Sequence, residues 1–172
     1  AGDKIITRDN GIQEIAWVGS KEMTGKELAA KPHMKPILVK AGSLGHGLPE
    51  RDMLLSPNHR VLVASEKTQL YFEEREVLAA AKHMTGAQGI HTLDVMRTTY
   101  IHFMFERHEV VLSNGAWTES FHPGDYSLNG LGNSQRNEIF ELFPDLATTA
   151  GVEGYQAARK SLKKHEARLL MK

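Results

Sequence analysis

The 172-residue chain contains no cysteine. That excludes disulfides, thiolate zinc sites and a thiol nucleophile among these residues. It leaves the redox compartment open, because a cysteine-free protein suits oxidising and reducing surroundings alike. An excess of one charge is missing too. The 21 basic and 21 acidic residues cancel, whereas a nucleic-acid-binding face needs a basic surplus. Apolar runs last only a few residues, far short of the roughly 20 that a transmembrane helix requires. The opening stretch Ala1 to Ile6 has no signal-peptide apolar core. No Gly-x-Ser-x-Gly nucleophile elbow occurs, and the glycines at 42, 45 and 47 precede no helix that would make them a phosphate loop. None of the nine histidines stands four residues from another, so no helix face presents the His-x-x-x-His zinc pair. No cofactor or metal is expected.

What remains is ordinary globular composition, 41% hydrophobic and 24% charged, in a length that supports one domain with a real core plus an appendage. Turn signals divide it. Lys4 to Thr7, a positive-φ turn at Asp9-Asn10-Gly11, and Ile12 to Val18 read as a hairpin. Met23 to Ala30 can form a helical turn. Pro36 to Lys40 reads as a short buried strand whose leading proline needs no N–H. Leu54-Leu55 and Val61 to Val63 read as strands, and a further strand is expected at Gln69 to Phe72. Glu76 to His83 has a helix-forming composition ending near Gly86. Val95 to Phe105 is rich in β-branched and aromatic residues. It is followed by Val110 to Leu112, an Asn114-Gly115 turn, and a return through Ala116 to Phe121. Ser127 to Asn133 reads as a linker. Two helices are expected after it, Gln135 to Phe143 behind an N-capping Ser134, and Glu153 to Met171. The expectation is a mainly β domain over 1–125 and a helical C-terminal tail over 126–172.

The chemistry concentrates at Ser56-Pro57-Asn58-His59. An apolar strand stops at a hydroxyl, turns over Pro57-Asn58, and resumes behind an imidazole. A hydroxyl and a titratable ring held together near the core can polarise and protonate a peptide bond. The same four residues are also ordinary turn chemistry, with His59 as a cap. His108 is the second candidate, at the end of the β run of the 100s and surrounded by Glu106, Arg107 and Glu109. A solvated strand end is the plain alternative there. By alternation His102 shares a strand face with Tyr100 and Met104, which makes it a supporting candidate. Trp17 and Trp117 are most simply packing residues.

Together these blocks resemble the Hint domain, the self-processing module of Hedgehog proteins and inteins, in its bacterial Hedgehog/intein-like subgroup. Leu55 to Val61 is similar to the family's Thr-x-x-His block, with Ser56 keeping the hydroxyl. Tyr100 to Phe121 resembles the later block of strand, histidine, short strand and turn. Gly2 to Gly11 resembles the Gly-Asp hairpin. The resemblance implies a fold of curved β-hairpins and a mechanism in which an N-terminal cysteine converts the preceding peptide bond to a thioester. Mapped here, Ser56 would orient the bond, His59 would protonate the departing nitrogen, and His108 would assist later. The cysteine-bearing segment would lie before Gly2, so the domain is expected to be inert as it stands. The stretch near Ser120 lacks the His-Asn ending of splicing modules, which points to cleavage rather than splicing. The implied partner is the polypeptide fused on the N-terminal side, with neither nucleic acid nor a membrane span involved. Two other readings stay open: a non-catalytic β-rich structural or interaction domain of a larger secreted protein, and a histidine-based metal hydrolase.

Overall fold

A computed structural model describes residues 1–121, Glu141 and 157–170. The chain is mainly β. Strand β1 (Lys4–Thr7) folds back as β2 (Gly11–Glu14) over a turn that Gly11 closes at φ 66°. The Thr7 hydroxyl tightens this turn, donating to the Gly11 carbonyl at 2.8 Å. The expected return strand does not run on to Val18. It breaks at Ile15-Ala16, and Trp17–Thr24 becomes a separate strand, β3. That strand pairs along its full eight residues with β9 (Arg97–Met104). Ile15 at the break is buried against Phe105 and Val111, so the chain changes sheets to bury an apolar side chain.

A capping box then ends β3. Thr24 accepts from the Glu27 N–H while the Glu27 carboxylate accepts from Thr24, which starts helix α1 (Gly25–Ala30). A 3-10 turn at Pro32–Met34 leads to β4 (Ile37–Val39). Strands β5 (Met53–Leu55) and β8 (Ile90–Thr92) flank β4 in a three-stranded antiparallel sheet.

Two expected elements exchange character. Gln69 to Phe72 belongs to helix α2 (Glu66–Phe72), not to a strand. Ser65 and Thr68 form a second capping box there, and Leu70 and Tyr71 stay exposed. Conversely, Glu76–Ala80 is strand β7, followed only by a short helix α3 (Ala81–Met84). Its Val-Leu-Ala-Ala run lacks alternation because β7 lies between β6 (Arg60–Ala64) and a C-terminal strand and is covered on both faces. Tertiary pairing outweighs alanine's helix preference, worth only tenths of a kcal/mol per residue.

Strands β10 (Val110–Ser113) and β11 (Ala116–Glu119) form the expected hairpin, with Asn114 at φ 48° and Gly115 at φ 78°. The expected helix over 153–171 is corrected in its described part. Lys160–Ser161 is strand β12, pairing parallel with β7, and only Lys164–Leu170 is helix (α4). The linker 127–133 and the rest of the expected tail helices lie outside the described residues, Glu141 excepted. The largest sheet runs β12-β7-β6-β11-β10-β1-β2. The main core joins it to the three-stranded sheet through Ile37, Leu55, Val61, Val77, Ala79 and Leu162. Among the described residues no helix is long and apolar enough to cross a membrane.

Candidate active site

Ser56 leaves the end of β5 and His59 leads into β6, so the turn between them spans two sheets. The His59 N–H donates to the Ser56 carbonyl at 3.1 Å, closing a four-residue β-turn with Pro57 at its second position. The first residues of α3 grip this turn from outside. The Ala81 N–H donates to the His59 carbonyl at 2.9 Å and the Lys82 N–H to the Pro57 carbonyl at 3.0 Å. The backbone is therefore held by its own bond and by a neighbouring helix, independently of the two side chains.

Those side chains are the unusual part. Ser56 is buried and His59 half-buried, yet the Ser56 Oγ and the His59 Nε2 are shielded from water without a hydrogen-bond partner among the described residues. Leaving a buried polar group unsatisfied costs roughly 1–3 kcal/mol, and such groups collect where function rather than stability sets the residue. Burial pushes the His59 ring below its ordinary value. The Glu119 carboxylate opposes that shift, while Arg60 and His108 add to it.

The His102 ring lies beside His59, with centroids 6.4 Å apart. It comes from the middle of β9 and packs between Tyr100 and Phe121. Burial drives His102 down to about 3, with His59 adding to the shift. It is a neutral ring backing the turn.

His108 sits one layer away in the loop between β9 and β10 and is buried. Its Nε2 lies 3.2 Å from Glu119 Oε2. Its Nδ1 accepts the Ala158 N–H at 3.1 Å. Glu119, the last residue of β11, is wholly buried and draws donors from Arg60 and His108. The Arg60 N–H reaches Oε1 at 3.0 Å, and the Arg60 guanidinium and His108 both reach Oε2 at 3.2 Å. Burial by itself would raise this carboxyl. The Arg60 charge and the His108 hydrogen bond overcome it and bring Glu119 down to about 2. It is an anion at the centre of the site.

Of the expected residues, Ser56 and His59 come together on one turn. His108 reaches them through Glu119 and Arg60, neither of which was singled out from the sequence. One signal was available for Glu119: it is a charged residue on the same strand parity as Trp117 and Phe121, where a carboxylate is buried only with partners. On its outer side the turn borders a cleft of about 390 Å³, which Pro57, Asn58, Lys35, Lys82 and His33 help to line. The Glu141 carboxylate stands there on Lys31 at 2.6 Å and His33 at 3.4 Å. Among the described residues no group of three or more His, Asp or Glu side chains is placed to hold a metal ion.

The arrangement is a hydroxyl and a neutral imidazole on a clamped turn, backed by a second imidazole and a buried anion. It can orient a carbonyl and relay a proton. In a comparison with known proteins, the model of the Hint domain family matches residues 1–125. No curated protein and no solved structure matched the chain. The match spans well over half the sequence and includes the turn, His102, His108 and Glu119, and the chain belongs to the Hint domain family.

Proposed function

We propose that this domain cleaves the peptide bond preceding a cysteine on its N-terminal side, through a thioester and without splicing. The observation that carries the reading is the pair of shielded, uncommitted polar atoms, Ser56 Oγ and His59 Nε2, on one clamped turn. Ser56 donates its O–H to the carbonyl oxygen of the scissile bond and holds it in place. His59 is neutral because it is buried, so it starts as a base. It takes the thiol proton as sulfur attacks the carbonyl carbon, then delivers that proton to the departing amide nitrogen. The C–N bond breaks, a C–S bond forms, and the proton count closes. An external thiol or water then attacks the thioester carbonyl and releases the upstream chain. Glu119 is the fixed negative charge that stabilises His59 while it carries the extra proton.

None of the 172 residues is a cysteine, so these residues alone perform no thioester step. The test is a fusion in which a reporter and a cysteine-led segment precede Gly2, incubated with an added thiol and followed by intact mass. Cleavage is expected, with His59→Ala slowing it ~10²–10⁴-fold, the usual range for a general acid–base group. An intact fusion, or cleavage indifferent to His59→Ala in a folded variant, overturns the mechanism. The absence of cysteine also favours a second reading, a non-catalytic structural or interaction domain. In that case the fusion stays intact and His59→Ala changes only stability.

A further inference from the structure

We propose that the C-terminal segment Ala158–Leu162 is a positioning strap for the site, and that the Ala158 backbone N–H dictates which nitrogen of His108 carries the proton. The consequence for catalysis rests on the reading above; the tautomer itself does not.

An N–H that donates to Nδ1 requires a lone pair there. The ring proton then belongs on Nε2, which points at Glu119 Oε2. The opposite tautomer would set N–H against N–H at Ala158 and a lone pair against a buried carboxylate at Glu119. Both contacts therefore select one form, and both ring nitrogens are committed. His108 acts by holding Glu119, as a positioning residue, and not by handing a proton to the substrate.

The strap is held on the C-terminal side of the Ala158 N–H. Arg159 grips Asp9 through Nη1 and Nη2 at 3.0 and 2.7 Å, and reaches Glu76 through Nε at 2.8 Å. Its Nη1 also donates to the Ala158 carbonyl at 2.7 Å. Lys160–Ser161 adds a parallel strand to β7, and the Leu162 N–H donates to the Leu78 carbonyl at 2.8 Å. Leu162 and Ala167 are buried in the main core, and α4 packs on α3, the helix whose N–H groups hold the Ser56–His59 turn. The strap thus reaches His108 directly, and the helix α4 that follows it reaches the turn through α3. It lies outside residues 1–125, the stretch that the Hint family model matches.

The test uses the full chain, with long-range ¹H–¹⁵N NMR on the histidine rings. In the unaltered protein His108 is expected to show a protonated Nε2 and an unprotonated Nδ1, with the Ala158 amide protected from hydrogen exchange. Ala158→Pro removes the donor, while also fixing φ at this position, and is expected to convert His108 to a tautomer mixture, whereas Ala158→Gly keeps the N–H and the single form. A protonated Nδ1, or an exchanging Ala158 amide, in the unaltered protein overturns the proposal. So does an unchanged His108 pattern in folded Ala158→Pro. These readouts need no cleavage. In the reporter fusion, Ala158→Pro is expected to be cleaved about tenfold more slowly than Ala158→Gly, on the scale of one lost hydrogen bond. If the fusion is never cleaved while the tautomer follows the Ala158 donor, the proposed function fails and the strap stands.

Discussion

Arg60 and Glu119 face each other across β6 and β11, and the carboxylate accepts from both the backbone N–H and the guanidinium of the same arginine. The pairing of Val61 with Thr118 sets this register, so one strand alignment places an anion directly behind His59. Each ion offsets part of the cost of burying the other.

Removing one member should therefore cost more than removing both. Arg60→Met or Arg60→Ala, which takes the paired guanidinium from the buried Glu119, is expected to lower stability by about 3–5 kcal/mol. The double change Arg60→Met with Glu119→Gln should recover a large part of that loss. Urea unfolding of Arg60→Met, Glu119→Gln and the double variant measures the difference, and additive single effects would contradict the pairing.

Acid sensitivity follows from groups that the fold holds below their ordinary pKa, His102, His83 and Glu119 among them. Burial lowers His102 to about 3 and His83 to about 4 from 6.5, and Glu119 lies near 2 against 4.5. In each case the unfolded chain binds a proton at higher pH than the folded one, so stability rises with pH wherever the two differ. The histidine contributions are complete above about pH 6.5 and are lost as pH falls toward 3–4. The Glu119 contribution is lost between about 4.5 and 2. Thermal unfolding midpoints should hold steady near neutrality and fall progressively below about pH 6.5, with His102→Gln flattening the upper part of the fall.

Ser56 should separate function from stability. Its Oγ makes no hydrogen bond among the described residues, so Ser56→Ala loses none and relieves a buried polar atom. Stability is expected to stay level or rise by up to about 1 kcal/mol, while cleavage of the reporter fusion falls. Ser56→Thr keeps the hydroxyl and should keep cleavage. A clear stability loss on Ser56→Ala would show that the hydroxyl has a structural bond.

Gly115→Ala tests the hairpin next to the site. At φ 78° an L-residue is strained, and the added Cβ would meet Leu48 Cδ2 at 2.9 Å and Glu50 at 3.0 Å. The expected cost exceeds about 1 kcal/mol, read by unfolding midpoint. Because β11 carries Glu119, a disturbed hairpin should slow cleavage as well.

The elements that could be read from sequence are those with local causes. Asn114-Gly115 and Asp9-Asn10-Gly11 make their turns through φ values that few other residues adopt, and Ser56-Pro57-Asn58 closes within four residues. The misread elements are those settled by distant neighbours. Val77 to Ala80 is a strand because β6 and β12 flank it, and Lys160–Ser161 is a strand because β7 offers an edge. Gln69 to Phe72 is a partial exception, since Ser65 and Thr68 were there to mark a helix start. Among the site residues, Ser56 and His59 were visible because three positions of chain bind them together. Glu119, Arg60 and the Ala158 donor lay 59 and 50 residues from the groups they meet.

By itself, then, the sequence determined the turns, the hydroxyl–imidazole pair and the Hint blocks, because each is set within a few bonds by backbone preference and residue identity. The tertiary structure alone decided which strands surround that pair, which carboxylate stands behind it, and which end of His108 holds the proton. Those outcomes depend on burial and on hydrogen bonds between residues far apart in the chain. Such contacts form only when the sheets close, and nothing in the local sequence carries their energy.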